Sequence, residues 1–309
     1  MTRAFDVAGV GTNSVDHVLM LAESLQRVSE TGKSRVAVQH RFFGGQTATA
    51  VCACAALGLR ARYVGVFGSD EDGQLMREAL HARGIDTSAA VKSDGLNRQA
   101  VILVYPDGRR TVLWHRPDHL TVAASRMGAV ALDARVLHLD DDDPGLALAA
   151  ARAAAASQME ITADLEHAGD ATEQLIAAVT YPIFEQTFPA RITGESDPER
   201  ALRKLRRITP NLMCVTLGDA GAAALEGDRF HHSPAFAVDA VDTTGAGDVF
   251  RGAFIYGLLQ GWDVPARLRF ANAAAAVSCT RLGAIPSVPN LAEVEELLGG
   301  SPSVSVHSR

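Results

Sequence analysis

The chain has 309 residues, enough for one large α/β domain or two smaller ones. Hydrophobic residues make up 47%, which supports a substantial core, and 29 Lys plus Arg against 36 Asp plus Glu leave a formal charge of −7. That balance gives no sign of a nucleic-acid surface, and no apolar stretch reaches membrane-spanning length without charges.

Phe5 to Val10 reads as a first buried strand, ended by Gly11. Asp6 interrupts the only apolar run near the start, so no secretory segment is expected and a cytoplasmic location is. Asp16 follows just past this strand, placed either as a solvated loop acid or as a ligand for hydroxyl groups. Between residues 17 and 43, Val36 and Val38 alternate with polar neighbours, as in an exposed strand. Gly44-Gly45-Gln46 then opens a small-residue helix, Thr47 to Leu57, closed by Gly58. Cys52 and Cys54 lie inside that run, and Cys214 and Cys279 in others; the spacing fits no common zinc pattern, so all four read as buried thiols.

Ala61 to Phe67 is a second strand, and Gly68 to Gly73 starts a helix that ends at Gly84. Ala100 to Tyr105 and Arg109 to Trp114 form a hairpin around Pro106-Asp107-Gly108. Val136 to Leu139 is a core strand ending in Asp140-Asp141-Asp142-Asp143. Four adjacent acids repel unless solvated or neutralised, yet strand ends face the ligand crevice in open α/β folds. Asp140 is therefore a candidate for sugar, an ion or a neighbouring loop. An alanine-rich helix, Leu146 to Met159, and a strand, Glu160 to Leu165, follow. Leu175 to Val179 begins another unit. Met213 to Leu217 is a late strand, with Gly218-Asp219-Ala220-Gly221 after it.

Phe236 to Val241 then leads into Asp242-Thr243-Thr244-Gly245-Ala246-Gly247-Asp248 and an apolar helical run, Val249 to Leu259. Gly245 and Gly247 let the backbone come close to a ligand. A helix start offers free amides to an anion. Asp248 sits beside that anion in the first turn. Amides that stabilise phosphate charge, together with a carboxylate that removes a proton, point to phosphoryl transfer to a hydroxyl. An ordinary capped helix is the plain alternative. Phe270 to Cys279 is a further packed helix containing Asn272, and Leu291 to Leu298 closes the fold before a Ser-rich tail.

The unbroken run Asp242 to Asp248 resembles the second signature of the PfkB, or ribokinase-like, carbohydrate kinases, and Gly44 to Gly58 resembles the first. The resemblance covers about residues 4 to 298. It implies a three-layer α/β fold in one domain, with a small β lid from about residues 15–43 and 95–116, and a homodimer paired through that lid. It also implies ATP and Mg2+, with a monovalent cation (K+) as a further ligand.

By the same resemblance, Asp248 is the catalytic base and Gly245, Ala246 and Gly247 form the anion hole. Asp16, Gly44, Gly45, Gln46 and Thr49 face the sugar, and Asp140 joins them as a candidate from its place at a strand end. Relatives often carry an asparagine among the polar positions held here by Gln46, Thr47 and Thr49. Thr216, Gly218, Gly221, Thr244 and Asn272 belong to the nucleotide side, and Asp242 and Ser287 to the cation.

Two departures stand out. The Asn-x-x-Glu pair that relatives tie to Mg-nucleotide falls on Glu185 and Phe188, leaving Glu185 as a weak metal candidate. Stretches 30–45 and 234–252 resemble the sulfoquinovose kinase branch, where Lys33 would meet a sulfonate, but the arginine of that branch is replaced within Asp140 to Asp143. The expected reaction is ATP-dependent phosphorylation of a neutral pentose or hexose. Nucleoside kinase, sulfoquinovose kinase and a non-catalytic sugar sensor are the alternatives.

Overall fold

The computed structural model describes residues 3–107, 109–117, 120, 122 and 132–300. Gly108 of the hairpin turn and the Ser-rich tail beyond residue 300 lie outside them. Fourteen strands are described, β1 Phe5–Val10, β2 Ser14–Leu21, β3 Val36–Gly44, β4 Ala61–Val64, β5 Val66–Gly68, β6 Val91–Ser93, β7 Gln99–Val104, β8 Arg110–His115, β9 Ala134–Asp140, β10 Glu160–Leu165, β11 Tyr181–Phe184, β12 Met213–Thr216, β13 Ala222–Glu226 and β14 Arg229–Ser233.

Eight of them form the large sheet, in the order β14-β13-β12-β11-β10-β9-β1-β4. The pairs from β4 through β12 are parallel, and β13 and β14 add an antiparallel edge. Such a sheet needs cover on both faces, and the period-two alternation supplies it. On one face Ala8, Leu137, Ile161, Val215 and Leu225 pack with Leu146, Ala150, Leu175 and Leu202 from the flanking helices. On the other face, Val7 and Val136 meet the helix Gln46–Ala56, while Cys214 and Ala224 meet the helices Ala246–Leu259 and Val264–Ser278. The expected three-layer α/β class is the one observed.

Small residues set the closest approach. A Cβ on Gly252 would lie 2.6 Å from Ala53 Cβ, so the helices 46–56 and 246–259 touch backbone to side chain. The helix around Asn272 begins at Val264, six residues before its expected start. The Asp263 side chain caps it by accepting from Ala266 N (2.9 Å), and Pro265 fits its first turn. The segment carrying Glu185 and Phe188 divides into the end of β11 and a short helix, Phe188–Thr193.

A second sheet, ordered β3-β2-β7-β8, stands apart from the large one. Its outer strands leave Val36, Val38, Val112, Leu113 and Trp114 exposed, with Trp114 74% exposed. Among the described residues no helix is long and apolar enough to cross a membrane.

Candidate active site

The turn before the helix Ala246–Leu259 is built by backbone conformation rather than by a side-chain cap. Gly245 has φ 78°, a left-handed angle that favours glycine, and a Cβ there would lie 2.6 Å from Ala284 Cβ. Val249 N donates to Gly245 O (2.9 Å), closing the first helical turn. Of the expected anion-hole amides, Ala246 N is already bonded to Thr243 O (3.2 Å), whereas the amides of Gly247 and Asp248 precede the first helical bond and have no intrahelical acceptor, which leaves them open to an anion. Asp242 braces the turn from behind. It accepts from Thr244 N (2.9 Å), Thr244 Oγ1 (2.7 Å) and Gly283 N (2.9 Å). Burial opposes its charge, but these bonds hold its carboxyl below the usual range. Ser287 is buried nearby in the chain and donates to Ala284 O (2.9 Å). Asp242 and Ser287 thus sit on two loops joined at Gly283 and Ala284.

On one side of the turn lies a cavity of about 670 Å³. Ala246 and Gly247 form one end, Thr216, Gly218 and Gly221 another, and Phe236, Asn272 and Ala275 complete the wall. Asn272 is committed to structure: its Nδ2 donates to Ser233 O (2.8 Å) and Pro234 O (3.2 Å), pinning the loop that forms the cavity rim. Gly221, at φ 92°, ends a 3₁₀ turn, and its N donates to Gly218 O (3.1 Å).

On the other side, acids dominate. Asp16 on β2 is 9% exposed and accepts from Ser14 Oγ (3.1 Å). Burial pushes its carboxyl up. Gly44 ends β3 against it, since a Cβ there would lie 3.4 Å from Asp16 Oδ2 and 3.5 Å from Ala284 Cβ. Ala284 therefore links Gly44 to Gly245 across the crevice floor. Gly45, at φ 97°, starts the helix Gln46–Ala56. That helix brings Gln46 Nε2 to within 3.3 Å of Asp164 Oδ2 and buries Thr49, whose Oγ1 has no hydrogen-bond partner among the described residues. Asn13 ties these parts together through Tyr63 OH (2.9 Å), Val66 O (2.8 Å) and Asn97 Nδ2 (3.0 Å).

Each member of the acidic run has its own partner. Asp140 accepts from Thr12 N (2.7 Å) and Thr47 Oγ1 (2.8 Å), holding the end of β1 to the helix 46–56. Asp141 accepts from Glu166 N (2.8 Å) and His167 N (2.7 Å). Asp142 pairs with Arg98 and with Arg116. Asp143 caps the helix Pro144–Ala156 by accepting from Leu146 N (3.0 Å). Asp142 meets two arginines and Asp141 a histidine, whereas Asp140 and Asp143 accept from uncharged donors, and among the described residues no group of three or more His, Cys, Asp or Glu could hold a metal.

Glu185 lies elsewhere in its bonding: it accepts from Thr187 N (2.9 Å) and Thr187 Oγ1 (2.6 Å) and faces Arg191 at 3.6 Å. Those bonds brace the start of the helix Phe188–Thr193. Lys33 is exposed before β3, and among the described residues its ammonium forms no ion pair.

Asp248 is partly exposed to the crevice but enclosed on most sides. Burial drives its carboxyl up to about 8; Arg251 opposes the rise, and Glu166, Asp140 and Asp16 add to it. Arg251, Asp164 and Glu166 were not singled out in the sequence. Arg251 is nearly fully buried, pairs with Asp164, and lies 3.7 Å from Glu166. A signal was available: Arg251 interrupts an otherwise apolar helical run, and a buried charge demands a partner.

The family profile of the pfkB family carbohydrate kinases matches residues 10–291. This chain belongs to that family. It is 30% identical to Fructokinase-1 of Zea mays over 290 residues, covering 82% of this chain and 88% of that protein. It is 26% identical to the ribokinase of Haemophilus influenzae over 301 residues, covering 94% and 97%. The structure of Arabidopsis thaliana ribokinase complexed with ribose and ATP superposes with a TM-score of 0.82 at 24% identity, covering 97% of this chain and all of that one (100%). The chain is accordingly a sugar kinase, with ribokinase and fructokinase among its homologues.

Proposed function

We propose that this sugar kinase transfers the γ-phosphoryl group of ATP to a hydroxyl of a neutral pentose or hexose. The observation that carries the reading is the position of Asp248. It lies at an anion-accepting helix start, between a cavity of about 670 Å³ and a wall of buried acids. The cavity has the size and the glycine-edged rim that a nucleotide needs. The Arabidopsis ribokinase of the same fold was solved with ribose and ATP, the two kinds of ligand this reading calls for.

In this reading Asp16 accepts hydrogen bonds from sugar hydroxyls, and Gly44 allows the ring to approach. Asp248 takes the proton of the attacked hydroxyl as its oxygen bonds to the γ-phosphorus. The bond to the bridging oxygen breaks, and ADP leaves with the electron pair. The outward amides of Gly247 and Asp248 receive the charge on the transferred group. Mg2+, when bound, would offset charge along the phosphate chain of the nucleotide. The acids around Asp248 favour a neutral acceptor over a sulfonated one. The second sheet acts as a lid, and its exposed Val112, Leu113 and Trp114 are covered by a second copy of the chain. The loops carrying Asp242 and Ser287 hold a monovalent cation beside the turn.

The test is ADP release across ribose, fructose, other neutral sugars, nucleosides and sulfoquinovose, with product mapping. Neutral-sugar turnover is expected. Preference for a nucleoside or for sulfoquinovose would overturn the acceptor assignment, and sugar binding without turnover would make the chain a sensor.

A further inference from the structure

The helix Ala246–Leu259 carries two charged residues, Asp248 and Arg251, in an otherwise apolar segment. Residues three apart on a helix are neighbours, and helical side chains lean toward the N-terminus. Arg251 follows that rule. Its guanidinium passes beside the anion-hole turn, and a Cβ on Gly247 would lie 2.6 Å from Arg251 Nη1. Gly247 thus serves two neighbours, the ligand above and the guanidinium beside it.

The Arg251 side chain is 2% exposed and its partner Asp164 is fully buried, with Glu166 at 3.7 Å. Burying such a pair costs several kcal/mol per ion before attraction repays it, and an apolar pair of similar volume can serve a core as well. The pair is also imperfectly bonded. Arg251 Nε and the nearby His138 Nε2 have no hydrogen-bond partner among the described residues. Core stability is therefore a poor reason for this charge.

The surroundings of Asp248 supply a better one. Glu166 from the end of β10, Asp140 from β9 and Asp16 from β2 all oppose its negative charge. Asp164 and Asp141 lie in the same electrostatic group. His138 cannot balance them, because burial, with Arg251 adding to it, lowers its pKa to about 3 and keeps it neutral. Arg251 is the cation that faces this set from the same helix.

We propose that Arg251 is a positioning residue for phosphoryl transfer: its buried guanidinium is the counter-charge that lets Asp248 work as a base among neighbouring acids. The proposal rests on the kinase reading above.

The experiment follows the Asp248 carboxyl directly by carbon-13 NMR titration of the unliganded protein, the signal being assigned by its loss in Asp248→Asn. The pH profile of kcat/KM is measured in parallel. Arg251→Met is expected to raise the carboxyl midpoint by about one pH unit or more, a tenfold or greater loss of base at neutral pH. Activity should return as pH rises. Arg251→Lys should keep the midpoint near that of the parent. Glu166→Gln, which alters a partly exposed acid, should move the midpoint down, so a variant remains if Arg251→Met does not fold. Unchanged midpoints in both Arg251→Met and Glu166→Gln, or an activity loss in Arg251→Met equal at every pH, would overturn the proposal. The titration needs neither ATP nor sugar. A parent protein that phosphorylates nothing on the panel would sink the kinase reading and leave this result separately readable.

Discussion

The two sides of the crevice are built from different materials. The larger cavity is walled by small and apolar side chains, among them Ala235, Ala237, Val238, Ala240, Phe236 and Ala275, with glycine backbone at its rim. The opposite wall is made of buried carboxylates, Asp16, Asp140 and Asp164, with Asp248 between the two. In the proposed reading, one side recognises shape and offers backbone amides, and the other recognises hydrogen-bond donors and is sensitive to protonation. Substitutions should therefore separate by side, and pH should act through the acidic side.

The largest expected effect is at the boundary. Asp248→Asn should lower turnover by about 10²- to 10⁴-fold, the range for loss of a general base. ATP binding to the other side, measured by calorimetry, should change little. Near-normal turnover would remove Asp248 from its role, and loss of ATP binding would merge the two sides. Next, Asp16→Asn should raise KM for the sugar by about 10- to 100-fold, the worth of a hydrogen bond to a buried charge. Its KM for ATP should stay close to the parent value.

The effect of pH comes third. Asp248 must be ionised to act as a base, and its carboxyl is raised to about 8, so kcat/KM should climb toward and through that pH. Stability should run the other way. Between the ordinary carboxylate range near 3.8 and about 8, the folded state holds a proton that the unfolded state has lost. The unfolded state then binds fewer protons, so this group's contribution to stability falls as pH rises through that window. Thermal unfolding of Asp248→Asn should lack that part of the decline, and an identical pH slope in both proteins would contradict the assignment. The smallest effect belongs to the apolar side. Ala275→Leu should raise KM for ATP about tenfold by filling the cavity, leaving KM for the sugar nearly unchanged.

How much of this was legible follows the same division. Short apolar runs such as Phe5–Val10, and the glycine punctuation at Gly44-Gly45 and Gly245–Gly247, reported the α/β class and its tight turns. Those are local signals. The partners of Asp140 to Asp142 were not legible, because Thr12, Thr47, His167, Arg98 and Arg116 are distant in sequence and meet only in the folded chain, whereas Asp143 caps its own helix locally. The Arg251–Asp164 pair joins residues 87 positions apart in the sequence, counted as 251 − 164. Its presence was signalled by an arginine in an apolar helix, but its partner was not. The wide cavity beside Thr216 and Asn272 likewise needs the 235–240 loop, whose position is fixed by the long-range bonds from Asn272 to Ser233 and Pro234.

The central claim is that Asp248 couples an ATP cavity to a sugar site. Mass spectrometry of sugar products formed with ATP, comparing the parent chain with Asp248→Asn, tests it most directly. The account predicts a singly phosphorylated neutral sugar from the parent, formed in step with ADP, and almost none from the variant. No phosphorylated sugar from the parent, or equal amounts from both proteins, would contradict it.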